Sequence, residues 1–252
     1  THELAIALAQ EIVDAVPCAE QVRFTSTGTE ATLFAMRTAR AARGRDRILK
    51  FEGGFHGMND YALMSTFASG AAELPAAEPD SAGLPGCIAD QVLVAPFNDI
   101  EGMTAIIERH HDELGGVIVE PLQRVVKPEP GFLEALRQVT TRFGVPLIFD
   151  EIVTGFRLAM GGAQEYFGVT PDLGCFGKAM ANGFPISVVA GRADVMAFFE
   201  EAFFSYTFAG DAVGLAASVA TIEKLRRLNV HDQLWEQGNR IIAGFNQGAA
   251  EL

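Results

Sequence analysis

Lys178 and Asp150 are the pair whose residue types and settings could do chemistry together. The lysines of the chain are Lys50, Lys127, Lys178 and Lys224. Lys50 closes a short strand-like run, Lys127 sits in the polar turn Lys127-Pro128-Glu129-Pro130-Gly131, and Lys224 stands beside Arg226 and Arg227 on a helical stretch. These three read as ordinary solvated lysines. Lys178 lies in an apolar, glycine-rich stretch with no other charge between Asp172 and Arg192. A lysine drawn out of water holds its proton less tightly and becomes a usable amine nucleophile. Asp150 ends the apolar run Val145-Pro146-Leu147-Ile148-Phe149, a buried strand that delivers a carboxylate to its carboxyl end. An amine able to form a Schiff base, with a carboxylate able to keep a pyridinium nitrogen protonated, is the pair that pyridoxal 5'-phosphate (PLP) requires.

Four segments could serve the same chemistry. Ser26-Thr27-Gly28-Thr29-Glu30 joins a strand to a helix, where backbone amides and the hydroxyls of Thr27 and Thr29 could hold a phosphate. The plainer reading of Thr27 or Thr29 is a helix N-cap. Phe55, in Gly53-Gly54-Phe55-His56-Gly57, could stack on a planar ring, or serve as core. His56 could orient that loop, touch a substrate or be a hydrogen-bonded structural histidine. Asp150-Glu151-Ile152 places two acids on opposite sides of a strand, with Ile152 on the side of Asp150. Tyr206-Thr207-Phe208-Ala209-Gly210 could hold phosphate or cap the helix beginning near Asp211. Two nucleotide patterns fail. A P-loop would need glycine where Asp172 stands and Ser or Thr where Ala179 stands, and no Gly-x-Gly-x-x-Gly follows the first strand.

The elements that must position these residues alternate. Strands are expected over 21–25, 47–51, 91–95, 116–120, 146–150 and 187–191. Helices are expected around Leu4, Leu8 and Ile12, then over 30–43, 99–111, 132–143, 211–227 and 230–247. Residues 69–90, rich in Ala, Pro and Gly, read as a surface excursion. The pattern is that of an α/β sheet layered with helices, in which ligands sit beyond the carboxyl ends of the strands. A net charge of −13 argues against nucleic-acid or anionic-membrane surfaces. No apolar run approaches a membrane span, and no signal peptide is evident. The scattered Cys18, Cys87 and Cys175 fit free thiols in a reducing, cytoplasmic compartment. The histidines show no metal spacing, and His110-His111 reads as the end of a solvated helix.

Several motifs occur in order: Thr27-Gly28-Thr29-Glu30-Ala31, Phe51-Glu52-Gly53 through His56-Gly57, Val119-Glu120-Pro121, Asp150-Glu151-Ile152-Val153-Thr154-Gly155-Phe156-Arg157, Pro171-Asp172-Leu173 and Gly177-Lys178. In these the chain resembles the class III (ornithine-type) PLP-dependent aminotransferases of fold type I, and within them the glutamate-1-semialdehyde aminomutases. The resemblance implies a three-layer α/β/α large domain with a mixed, mostly parallel sheet. It implies that Lys178 forms the Schiff base and shuttles the proton, and that Asp150 pairs with the pyridine nitrogen. Thr27, Gly28 and Thr29 would hold the phosphate, Phe55 and Ile152 would cover the two ring faces, and Thr207 would reach the phosphate of a neighbouring subunit in a homodimer. The function implied is amino transfer between a small-molecule amino donor and a carbonyl acceptor, without nucleic acid or membrane. The alternatives are an intramolecular aminomutase or an inactive cofactor-domain fragment. Residues 1–227 would form the PLP-binding large domain, and 228–252 would begin a linker helix to a C-terminal domain missing from the chain.

Overall fold

The computed structural model describes residues 2–67 and 73–250. Seven strands form one sheet: β1 (Gln21–Thr25), β2 (Arg47–Phe51), β3 (Val92–Ala95), β4 (Leu114–Val119), β5 (Leu147–Glu151), β6 (Leu173–Phe176) and β7 (Ser187–Gly191). Their order is β1-β7-β6-β5-β4-β2-β3. β7 runs antiparallel to both β1 and β6, and the other pairs are parallel. Parallel strands carry helices on both faces, so their side chains are apolar on both sides. The residues divide with the period of two that a pleated strand imposes. Leu49, Phe51, Val117, Val119, Leu147 and Phe149 pack with α4 (Ile100–His110) and α5 (Phe132–Phe143). Ile48, Ile118 and Ile148 pack against α2 (Gly28–Arg43) on the other face. α1 (Glu3–Ala15) and α8 (Ala212–Arg227) cover the β6–β7 end through Leu8, Ile12, Leu215 and Ile222. The three-layer α/β/α architecture with a mixed, mostly parallel sheet is therefore present.

The amino ends of β5 and β6 and the carboxyl end of the antiparallel β7 meet at Asp172. Its carboxylate accepts from Leu147 N at 2.8 Å, Arg137 Nη1 at 2.8 Å and Arg192 Nη1 at 2.7 Å. Its own amide donates to Leu147 O at 2.8 Å, and its carbonyl accepts from Arg192 N at 3.0 Å.

Some expected elements differ. β6 reads in sequence as part of a glycine-rich turn, because Gly174 interrupts a run of only four residues. The short α6 (Gly162–Phe167) opens on glycine and gives no helical signal, and α3 (Gly86–Ala89) and α7 (Ala193–Met196) are single turns. The excursion after residue 67 has its first part, 69–72, outside the described residues. Its remainder stays at the surface as expected, but it is seated on the sheet: Ala76 bridges Leu93 of the edge strand β3, and the partly buried Leu74, Leu84 and Ile88 pack on Met64, Val92 and Val94. An unpaired strand edge is thereby covered. His111 does not end in solvent but stacks on Phe143 at 4.3 Å. The stretch after 228 becomes α9 (Val230–Ala250), anchored by His231 Nε2 near Phe156 O (3.2 Å) and by Trp235 stacked on Tyr166.

Candidate active site

The carboxyl ends of β2, β4 and β5 and the start of α2 surround a cavity of about 360 Å³. Lys178, Asp150, Thr27, Gly28, Thr29, Phe55, His56 and Ile152 all line it. Eight of the nine residues expected from sequence thus share one space. The ninth, Thr207, is exposed and lies outside that lining.

Asp150 shares the strand side of Ile148, and Glu151 points the opposite way, as period two demands. Asp150 Oδ2 lies 2.8 Å from His56 Nδ1, with the two side chains 5% and 1% exposed. Asp150 Oδ1 accepts from Ile152 N at 3.2 Å. His56 is thus hydrogen-bonded to the carboxylate and orients it, a partnership that fits the structural-histidine alternative and that the sequence did not foresee. Its carbonyl is held by Thr32 Oγ1 at 2.6 Å.

Thr27 is the N-cap of α2. Its hydroxyl accepts from Glu30 N, while the Glu30 carboxylate accepts from Ser26 N and Thr27 N at 2.7 and 3.0 Å, a capping box. The cap and anion readings are compatible here. Gly28 and Thr29 occupy the first turn, where helix amides have no partner within the helix. Thr29 Oγ1 accepts from Met58 N at 3.1 Å, which leaves its hydroxyl proton to donate. Gly28 lies against Ile152, where an added Cβ would meet the side chain at 3.1 Å. Gly57, at φ +92, passes Thr29 so closely that a Cβ would come within 2.7 Å of it.

Two lysine assignments change. Lys178 opens a 3-10 turn (Lys178–Met180) at φ +41 and is exposed, so the chain leaves it facing the cavity rather than withdrawn from water. The buried lysine is Lys50, which is 1% exposed, and burial lowers its pKa to about 8. Strand parity carried that signal: Lys50 alternates with Leu49 and shares the inner side of Ile48 in a strand covered on both faces. Glu120, quoted above only within a motif, also lines the cavity and accepts from Phe55 N at 3.0 Å. Burial raises its carboxyl pKa. Its place just past the end of β4 was the available clue.

The donor set fits PLP: an amine, a carboxylate fixed by hydrogen bonds, helix-start amides beside free hydroxyl protons, and a half-exposed aromatic ring. The model of the class-III aminotransferase family matches residues 1–251. The chain belongs to the class-III aminotransferase family. It is 43% identical over 243 residues to glutamate-1-semialdehyde 2,1-aminomutase of Methanosarcina acetivorans, covering 94% of this chain and 57% of that protein. An omega-transaminase from Sphaerobacter thermophilus superposes with a TM-score of 0.86 at 42% identity, over 89% of this chain and 54% of that one. A transaminase with PLP bound superposes with a TM-score of 0.83 at 30% identity, over 89% and 54%. The chain thus spans little more than half the length of the relatives it matches.

Within this class-III aminotransferase site, Glu151 serves the frame. It is fully buried and accepts from Thr154 Oγ1 at 2.9 Å, Gln164 N at 3.2 Å and Ala163 N, so it ties β5 to α6. Burial pushes its carboxyl from 4.5 up to about 7. Between those pH values the folded chain keeps a proton that the unfolded chain has lost, so this group's contribution to stability falls as pH rises through that window. The loss is expected to reach at most about 3 kcal/mol. Glu151→Gln should flatten that part of the slope in urea unfolding at pH 5 and pH 8. An unchanged slope would place the effect on another acid, such as Glu120.

Proposed function

We propose that the chain binds PLP and forms the cofactor-holding part of a transaminase that moves an amino group between a small-molecule donor and a carbonyl acceptor. The observation that carries this reading is the convergence of Lys178, Asp150 and the start of α2 on one cavity. PLP, when bound, supplies an aldehyde that condenses with amines and a ring that takes up electrons from a carbanion. The chain's residues do the rest. The amides of Gly28 and Thr29 bind the phosphate dianion, with the Thr27 and Thr29 hydroxyls beside them. Phe55 and Ile152 orient the ring from its two faces. Asp150, held by His56, keeps a proton on the ring nitrogen. Lys178 Nζ would be the amine that holds the aldehyde end of the group and, when free, would take and return the proton at the substrate carbon.

The intramolecular form, a glutamate-1-semialdehyde aminomutase, uses the same residues and is favoured by the Methanosarcina relative. Passage of labelled nitrogen between separate molecules distinguishes the two. We further infer a homodimer, in which Thr207, exposed and away from its own cavity, serves the site of a second copy. A cytoplasmic setting is consistent with the free thiols of Cys18, Cys87 and Cys175. Among the described residues no helix is long and apolar enough to cross a membrane.

Borohydride reduction in the presence of PLP tests the assignment directly. One peptide, containing Lys178, is expected to carry the label. Labelling of Lys50, Lys127 or Lys224 in its place would overturn it.

A further inference from the structure

Lys50 is buried, and among the described residues no carboxylate is paired with it. Its ammonium gathers backbone carbonyls instead: Gly54 O at 2.9 Å, Ala62 O at 3.1 Å and Met64 O, with Thr66 Oγ1 at 3.3 Å. All four acceptors belong to the irregular loop that leaves β2 and carries Phe55 and His56 into the cavity. Gly53 and Gly57 in that loop have positive φ, as does Ser65. Carbonyls of such a loop have no ladder partners, and buried ones left unpaired cost about 1–3 kcal/mol each. A methionine would fill the same volume without desolvating a charge, and exchanges of that kind are often neutral or stabilising. What methionine lacks is the ability to collect the carbonyls.

The contact with Gly54 has a partner on the other side. Gly54 C=O and Phe55 N–H belong to one rigid planar peptide. Lys50 donates to its oxygen at 2.9 Å, and Glu120 accepts from its nitrogen at 3.0 Å. A cation and an acid therefore hold opposite ends of the same peptide plane, both through charge-assisted bonds. Turning that plane turns the backbone on which the Phe55 side chain stands. The next residue is held as firmly, by Thr32 at its carbonyl and Asp150 at its ring.

We propose that Lys50 is a positioning residue of the cofactor site: with Glu120 it fixes the Gly54–Phe55 peptide and so sets the ring of Phe55 against the cavity. This rests on the reading of Phe55 as a ring-facing residue given above. Phe55 is 41% exposed and itself lines the cavity, so its packing alone does not hold it. Lys50 never reaches the cavity lining, and its effect passes through the loop.

The test compares Lys50→Met with Leu136→Ala, a core cut in α5 on the face of the sheet opposite Lys50. Three quantities are read: hydrogen exchange at Gly54, Phe55 and His56 without cofactor, the Kd for PLP, and the visible circular dichroism of bound PLP. Lys50→Met is expected to raise the Kd about tenfold, equivalent to ~1.4 kcal/mol. It should also speed exchange at the loop amides by about tenfold and diminish the dichroism. Leu136→Ala should lower the melting temperature and leave all three unchanged. Lys50→Met with wild-type affinity, exchange and dichroism would overturn the proposal, as would the same losses in Leu136→Ala. If Lys50→Met yields no folded protein, Lys50→Gln, too short to serve all four acceptors, decides by the same readouts: a shift in all three supports the proposal, and wild-type values overturn it. If the wild-type protein fails to bind PLP, the functional reading falls, while the exchange comparison still decides whether Lys50 sets the loop.

Discussion

Lys178→Ala is expected to abolish the borohydride-stable label and to lower amino transfer by at least about 10³-fold, within the range lost when a positioned proton-transfer group is removed. The fold should survive, because Lys178 is exposed and makes no core contact that alanine would vacate. Its positive φ of +41 also means that alanine inherits a backbone strain already present rather than creating one. PLP should still bind without a covalent link, through the start of α2. Equilibrium dialysis measures that binding, and rapid-mixing absorbance with an amino donor measures the proton transfer. Wild-type single-turnover rates in Lys178→Ala would remove the residue from the chemistry altogether.

Asp150→Asn is expected to cost on the order of 10²-fold or more in the first half-reaction, the scale of losing one preorganised electrostatic contact in a site. The amide carries no charge to hold a proton on the ring nitrogen. It also confronts Ile152 N and His56 Nδ1 with one acceptor oxygen where two now serve them. A stability loss of about 1–3 kcal/mol should accompany it, since a buried donor then goes unpaired. Urea unfolding separates this loss from the kinetic one. Half-reaction rates equal to wild type would show that the carboxylate does not act on the ring.

The parallel sheet was legible because its strands are apolar runs of buried length, and because acids and glycines gather where those runs end. Asp150, Phe55 and the start of α2 could be placed together on the carboxyl-end rule alone. The motifs from Thr27-Gly28-Thr29 to Gly177-Lys178 then named the family. The lysines were read less well. Charge isolation in sequence suggested that Lys178 is withdrawn from water, yet burial depends on what a turn packs against, and nothing local to Gly177-Lys178 records that. Lys50 ended a strand next to Phe51 and was set aside as solvated. Its partners, Ala62, Met64 and Thr66, come from a loop whose path no periodicity describes. Glu120 escaped a role for the same reason, since its partner is the amide of Phe55 on another strand's loop. β6 was too short, and too interrupted by Gly174, to rise above its surroundings.

The knot at Asp172 bears on chemistry it never touches. It grips both Leu147 N and Leu147 O, and so fixes how β5 is aligned with β6 from the end remote from the cavity. Strand side chains alternate, so a slip of one residue would exchange the faces of the whole strand. Phe149 or Glu151 would then stand where Asp150 now meets His56, and a ring nitrogen would find a hydrocarbon or an acid shaped for a different task. The identity of the group presented to the cofactor is in this sense an alignment decision, taken at the opposite end of the sheet by one aspartate and two arginines.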